Sequence, residues 1–235
     1  MTLRWLICFS ASLFPLCGAV VSGRVELRDS HYAAVRNRHD FSGVVIALTP
    51  VETTVLPAAG KHAVMLQKDK TFSPHVLAIQ AGSLVEFPNA DPIFHNAFSS
   101  YNGQVFDIGL YPPGTTRSVR FARPGVVRVF CNIHASMSAL IVVVASPYFA
   151  TTKQDGTFNI ADVPPAQYNL TVFHERASEA ALAELSRKIT VGPDGASLSN
   201  IVISEAGFLS IPHKNKYGHD YPADSGDPAY PGSKP

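Results

Sequence analysis

Three residues of types that bind soft metal ions lie close together in the second half of the chain. Cys131, His134 and Met137 form a C-x2-H-x2-M segment between two strand-like runs, VVRVF and ALIVVVA. A short loop between strands can direct a thiolate, an imidazole and a thioether to one point, and the strands hold the loop when the metal changes charge. Thiolate and imidazole bind copper strongly, and a thioether suits the reduced ion as a weak axial ligand. The segment therefore predicts a copper site.

A trigonal copper site of this type needs a second imidazole, and His95 is the best candidate. It follows the strand-like run LVEFPN in the turn NADPIFHNAFSS. Strands of a sandwich recur every ~8–12 residues, so this turn and the Cys131 loop can meet at one end. Each residue alone also has a structural explanation: Cys131 and Met137 as core residues, His95 in a turn and His134 on the surface.

The beginning of the chain has the pattern of an export signal. Arg4 is followed by an apolar run and by small residues at Cys17 and Ala19, which predicts a signal peptide over residues 1–19. A retained anchor is the alternative, but the apolar run is shorter than the ~20 residues that span a bilayer. We expect a periplasmic or secreted protein with no stable membrane span after cleavage. The mature chain then keeps one cysteine, Cys131, which must be buried, reserved for a partner or bound to metal.

The elements that must position these ligands are predicted to be strands. Short runs of alternating Val, Ile, Leu and Phe are separated by turn residues, which is typical of antiparallel all-β sandwiches. Ser178 to Lys188 has helix-forming composition, although it could equally be an exposed loop. A second small sandwich begins near Ser146. Residues 207–235 are rich in Pro, Gly and Asp without an apolar period, which predicts a disordered tail.

The chain resembles the small blue-copper proteins, plastocyanin and amicyanin among them, over about residues 64–145. The matching segments are VEFPNADPIFHN and CNIHASM, and the short C-x2-H-x2-M spacing is most similar to the loop of amicyanin. MLQKDKTFSPHVLAIQAGSLVEFPN, FDIGLYPPG and SPYFATTKQDGTF also resemble methylamine utilization protein-like exported proteins. These append a carboxypeptidase-regulatory-like sandwich to a cupredoxin.

This resemblance implies an order of domains along the chain. A Greek-key cupredoxin sandwich spans residues 61–145, and an N-terminal β segment, residues 20–60, packs on the core. A small carboxypeptidase-regulatory-like (transthyretin-like) sandwich spans residues 146–206 and precedes the tail.

The resemblance also implies a role for each site residue. His95 and His134 bind one type 1 copper ion as neutral imidazoles, Cys131 as thiolate and Met137 as the long axial ligand. Asn96 lies behind the ligands and ties the two ligand loops together by hydrogen bonds, although on sequence alone it could simply stabilise a turn. His75 could face solvent, line the core edge or approach the copper. His213 and His219 are expected to be solvated in the tail.

Several functional classes are disfavoured by the sequence. Lys and Arg number 19 against 18 Asp and Glu, and no basic stripe marks a nucleic-acid partner. G-x-S-x-G, P-loop, H-E-x-x-H and paired His-x-His motifs are absent, which argues against hydrolases, phosphoryl transfer and multicopper oxidases. We expect a one-electron carrier for a redox protein partner rather than an enzyme. The alternatives are a copper-delivery or sensing protein and a metal-free interaction module for glycan or peptide.

Overall fold

The computed structural model describes residues 19–52, 56–57, 62–100 and 103–221 of the chain. Over these ranges the protein is all-β, as predicted, with two short helices. None of the described helices has the length and apolarity needed to cross a membrane. The predicted signal peptide, apart from Ala19, and the last part of the predicted tail lie outside the described residues.

The elements fall into three consecutive parts of the chain. The first part contains β1 (Ala19–Arg28), α1 (Ala33–Arg38) and β2 (Val45–Pro50). The second part contains β3 (His62–Val64), β4 (Leu66–Lys68), β5 (Thr71–Ser73), β6 (Val76–Gln80), β7 (Ser83–Pro88), β8 (Phe98–Ser99), β9 (Phe106–Asp107), β10 (Thr116–Phe121), β11 (Gly125–Phe130) and β12 (Ser138–Val144). The third part contains β13 (Tyr148–Thr151), β14 (Thr157–Val163), β15 (Ala166–Phe173), α2 (Glu179–Leu185), β16 (Arg187–Val191), β17 (Ala196–Ser197) and β18 (Ile201–Ser204).

The first and third parts form one structure, which we call the split sandwich (residues 19–50 and 146–204). In one sheet β1 pairs with β14, β17 and β18, and in the other β2 lies between β13 and β15, with β16 at the edge. Both parts contribute to one apolar core, with Val25 and Ile46 from the first part and Phe158 and Leu170 from the third.

This arrangement differs from the predicted domain order, in which residues 146–206 form the second sandwich by themselves. Such a unit would have about 60 residues, near the lower limit for a stable core. The two N-terminal strands enlarge that core and occupy central positions, so they also satisfy backbone groups that would otherwise be exposed at strand edges. The helix suggested by the composition near Ser178 is present as α2, and the Ser178 side chain accepts a hydrogen bond from the N–H of Ala181 as its N-cap.

The second part of the chain is the inserted sandwich (residues 62–144). One sheet has the order β10-β7-β3 and the other has the order β6-β12-β11-β8-β9. Along β7 buried and half-buried residues alternate, as expected for a strand with one face on the core. The core includes Phe87, Phe121 and Ile141, and it continues to Cys131 and Met137 at one end.

Candidate metal centre

A seven-residue loop connects β11 to β12 and carries three of the predicted ligands. The strand pairing ends at Phe130 and Ser138, which face each other in the ladder. Within the loop the N–H of Cys131 donates to the carbonyl of Met137 at 3.1 Å, and the N–H of Met137 donates to the carbonyl of His134 at 3.1 Å. The hairpin and these two bonds therefore hold the loop closed without help from a metal.

His95 is held on a separate segment that follows β7. Its backbone exchanges two hydrogen bonds with Tyr111, at 3.2 and 2.9 Å. Tyr111 is fully buried, and its hydroxyl donates to the carbonyl of Phe87 at 2.9 Å and accepts a hydrogen bond from the side chain of Gln67. The position of His95 is thus anchored to the core of the inserted sandwich.

The two loops bring one thiol and two imidazoles together. The Sγ of Cys131 lies 3.9 Å from Nδ1 of His95 and 3.8 Å from Nδ1 of His134. One ligand atom from each residue lies within 4.8 Å of the others, so the group could hold a metal ion. For metal bonds of about 2.0 Å to nitrogen and 2.3 Å to sulfur, separations of 3.8 and 3.9 Å would correspond to N–metal–S angles of about 124° and 130°. Both angles are near the 120° of a trigonal plane, so the thiol and the two imidazoles fit the predicted ion.

Asp91 sets the orientation of the His95 ring. Nε2 of His95 donates to Oδ2 of Asp91 at 2.6 Å, and both side chains are almost completely buried. The carboxylate is fixed in turn by the N–H groups of Asp69, at 2.6 Å, and Lys70, at 3.0 Å. Since Nε2 carries the proton, Nδ1 is left as the lone-pair donor that faces Cys131. Sequence reasoning missed Asp91, although a carboxylate four positions before a candidate ligand is a signal that could have found it.

The Cys131 thiol is fully buried at the end of the core. Burial raises the pKa of this thiol, against hydrogen bonds from the backbone of Ile133, Asn96 and His134, which favour the thiolate. Backbone donors aimed at the sulfur suit a charged form, which a bound cation would stabilise further.

Met137 is fully buried and belongs to the same core cluster as Cys131. The two main-chain bonds of the loop fix its backbone beside both Cys131 and His134. Its contacts with the inserted core are those of an apolar side chain, and its role as axial ligand stays a prediction.

The family resemblance implied that Asn96 ties the two ligand loops together by hydrogen bonds, and in the structure its backbone makes such a bond while its side chain makes another contact. Its Nδ2 donates to Oδ1 of Asp107 at 2.7 Å, while its backbone bonds to the Cys131 sulfur. The side-chain connection therefore leads to the end of β9, and not to the loop of Cys131.

The structure gives His75 and His213 contacts of their own. The ring nitrogens of His75 lie 3.2 Å from the carbonyl of Ser138 and 2.9 Å from a carboxylate oxygen of Glu175. His75 therefore joins the two sandwiches and does not face the three clustered ligands. His213, predicted to be solvated, stacks on Phe130 with ring centroids 4.0 Å apart, and its Nε2 donates to the carbonyl of Ala135 at 2.9 Å.

Comparison with known proteins finds partial structural likenesses. The Cu-containing nitrite reductase of Thermus scotoductus SA-01 is 24% identical at a TM-score of 0.35, over 41% of this chain and 25% of that one. This chain therefore spans about a quarter of the reductase. A purple cupredoxin from Nitrosopumilus maritimus is 26% identical at a TM-score of 0.32, over 35% of this chain and 99% of that one. Amicyanin from Paracoccus versutus is 19% identical at a TM-score of 0.34, over 42% of this chain and 97% of that one. No family model and no curated protein match the sequence.

Proposed function

We propose that this chain is an exported mononuclear blue-copper protein that carries one electron between redox partners. The observation that carries the proposal is the meeting of two Nδ1 atoms, from separate loops, with one buried thiol at 3.8 and 3.9 Å. A trigonal His2Cys set with a weak axial Met is the donor set of cupredoxin electron-transfer sites.

Copper is favoured by the chemistry of the donors. Thiolate and thioether ligands are soft, which favours copper. A near-trigonal arrangement also suits Cu(I) and Cu(II) better than it suits Zn²⁺, which prefers tetrahedral coordination. When bound, the ion would supply a one-electron couple. The protein's own contribution is to hold His95, Cys131 and His134 in one geometry through the β11–β12 hairpin, Tyr111 and Asp91, so that little rearrangement accompanies a change of charge.

The surroundings of the site support electron transfer rather than catalysis. With Met137 as the axial ligand, two imidazoles, a thiolate and a thioether would complete the coordination and would leave no position for substrate. His134 is half-buried, and neighbouring apolar side chains are exposed, Phe94 to 50% and Ile133 to 42%. Exposed apolar residues beside a redox site suit docking of a partner protein.

Addition of Cu(II) to the purified mature chain tests the proposal. We expect an intense visible band from charge transfer between the Cys131 sulfur and copper. Cys131→Ser should abolish this band, whereas Ser138→Ala, which keeps every proposed ligand, should retain it. A colourless wild-type protein would contradict the proposal and favour a metal-free interaction module.

Competition with a chelator separates the carrier from a copper-delivery or sensing protein. A carrier should retain copper through repeated oxidation and reduction in the presence of the chelator, because its ligands are held by the fold in the absence of metal. Rapid transfer of copper to the chelator in either oxidation state would instead indicate delivery.

A further inference from the structure

The C-terminal segment of residues 211–221, which we call the strap, lies across the loop that carries Cys131. The Tyr221 hydroxyl donates to the carbonyl of Cys131 at 2.7 Å. The N–H of Lys216 donates to Oδ1 of Asn132 at 3.0 Å. With the contacts of His213 to Phe130 and Ala135, the strap touches the loop from the end of β11 to its middle.

Lys216 also reaches the segment that supports the other ligand loop. Its Nζ lies 2.7 Å from Oδ2 of Asp107, and the second oxygen of Asp107 accepts the hydrogen bond from Asn96 at 2.7 Å. A continuous path therefore runs from Asn96, beside His95, through Asp107 and Lys216 to Asn132, beside Cys131. The side chain of Asn96 does not reach the Cys131 loop directly, and the strap completes that connection through Asp107 and Lys216.

We propose that the strap is a clasp for the metal centre, in which Lys216 and Tyr221 are positioning residues that hold the Cys131 loop against the loop of His95. This role rests on the proposed function, because it concerns the geometry of the copper ligands. The strap contacts the carbonyl of Cys131, the side chain of Asn132 and the carboxylate of Asp107. It therefore acts on the metal-binding atoms indirectly, by holding the groups beside them.

The charges along the path agree with this role. Burial works to raise the pKa of Asp107, but hydrogen bonds from Lys216, Gly109 and Asn96 outweigh it and lower that pKa below its usual value. Asp107 is therefore ionised at neutral pH and can accept from Asn96 and Lys216 at once. The Lys216–Asp107 pair is partly exposed and weak by itself, so its effect depends on the neighbouring bonds to Asn132 and Cys131.

The clasp can be tested without metal, because Cys131 is the only cysteine of residues 20–235 and is fully buried. A thiol reagent can reach it only when the loop opens. In the metal-free protein we expect Lys216→Met and Tyr221→Phe each to increase the labelling rate about fivefold, as for the loss of one hydrogen bond. Lys214→Met, a matched change at an exposed strap position whose ammonium lies 4.0 Å from Asp220, should leave the rate unchanged, and Lys216→Arg should restore it.

The copper-loaded protein provides a second readout. Lys216→Met should shift the sulfur-to-copper charge-transfer band and speed copper loss to a chelator about tenfold, within the range for residues that support metal ligands. If copper does not bind at all, the proposed function fails, but the labelling result still decides the clasp. The clasp is overturned if labelling is unchanged in both variants, or if it rises only in proportion to the loss of global stability measured by denaturant unfolding.

Discussion

At the scale of single residues, the candidate centre depends on groups that do not themselves bind metal. Asp91 holds the proton of His95 on Nε2, and backbone hydrogen bonds directed at the Cys131 sulfur favour its thiolate. The buried carboxylate of Asp91 would also place a negative charge on the far side of the His95 ring from the proposed copper ion. The carboxylate and the thiolate together carry two negative charges. These would neutralise the two positive charges of Cu(II) but exceed the single positive charge of Cu(I), so they would stabilise Cu(II) more.

Asp91→Asn should therefore raise the reduction potential of the proposed copper site. Loss of the carboxylate weakens Cu(II) more than Cu(I), and a 10- to 100-fold relative loss of affinity corresponds to about 60–120 mV for one electron. A potentiometric titration followed by the visible band measures this shift. Asp69→Asn removes the same charge from an exposed side chain and keeps the N–H that supports Asp91, so it should change the potential little. An unchanged or lowered potential in Asp91→Asn would contradict the charge argument.

At the scale of elements, one tight turn joins the two parts of the split sandwich. Gly156 lies before β14 at φ +81°, and its carbonyl accepts a hydrogen bond from the N–H of Val25 in β1 at 2.9 Å. A Cβ at this position would lie 2.1 Å from the carbonyl oxygen of Val25. Glycine is thus required both by the backbone conformation and by the close approach of β1.

Gly156→Ala should destabilise the protein by about 2–4 kcal/mol, the sum of left-handed backbone strain and displacement of β1. Gly207→Ala is the matched control, because Gly207 has φ +78° and a Cβ there would meet no other part of the described chain within 4 Å. It should cost only about 1–2 kcal/mol, from the strain alone. Denaturant unfolding measures both values, and equal losses would show that the approach of β1 to this turn contributes nothing to stability.

At the scale of the whole molecule, a polar network connects the two sandwiches. Directly after β18 of the split sandwich, the buried carboxylate of Glu205 accepts hydrogen bonds from Ser30, His174 and Arg176. Arg176 also bonds to Glu175, which in turn contacts His75 of the inserted sandwich at 2.9 Å. His75 completes the connection at the carbonyl of Ser138, next to Met137.

The His75–Glu175 pair should make stability depend on pH. The hydrogen bond to Glu175 raises the pKa of His75 above its usual 6.5 despite opposing burial. The contribution of the His75–Glu175 pair to the free energy of unfolding is therefore fully present below about pH 6.5. It is lost as the pH rises through the raised pKa of His75. Since His75 is half-exposed, we expect His75→Asn to cost ~0.5 kcal/mol at about pH 6 and nothing at about pH 9.

Free energies of unfolding measured across this range test the pair. His62→Asn serves as control, because His62 makes a longer contact of 3.4 Å, to Glu86 within one sandwich, and is more exposed. A difference between wild type and His75→Asn that grows with pH would have the wrong sign for this pair.

Much of the candidate site was predictable because its signals are local. The C-x2-H-x2-M spacing lies between two strands whose apolar alternation is visible in the sequence, and His95 follows a third strand. The ligands themselves were accordingly proposed from residue type and position, and the structure brings the thiol and both imidazoles together. Met137 remains a proposed axial ligand on the grounds of its place in that loop.

The tertiary structure alone decided which distant segments meet. Pairing of β1 and β2 with strands more than a hundred residues away follows from the energy of a shared core and satisfied strand edges, which no local pattern reports. No local pattern marks Asp107, Lys216 and Tyr221 either. Their residue types are common on protein surfaces, and only their neighbours in the tertiary structure give them the proposed role. The strap is polar and has no periodic signal, since its order comes from contacts with the inserted sandwich and not from its own composition.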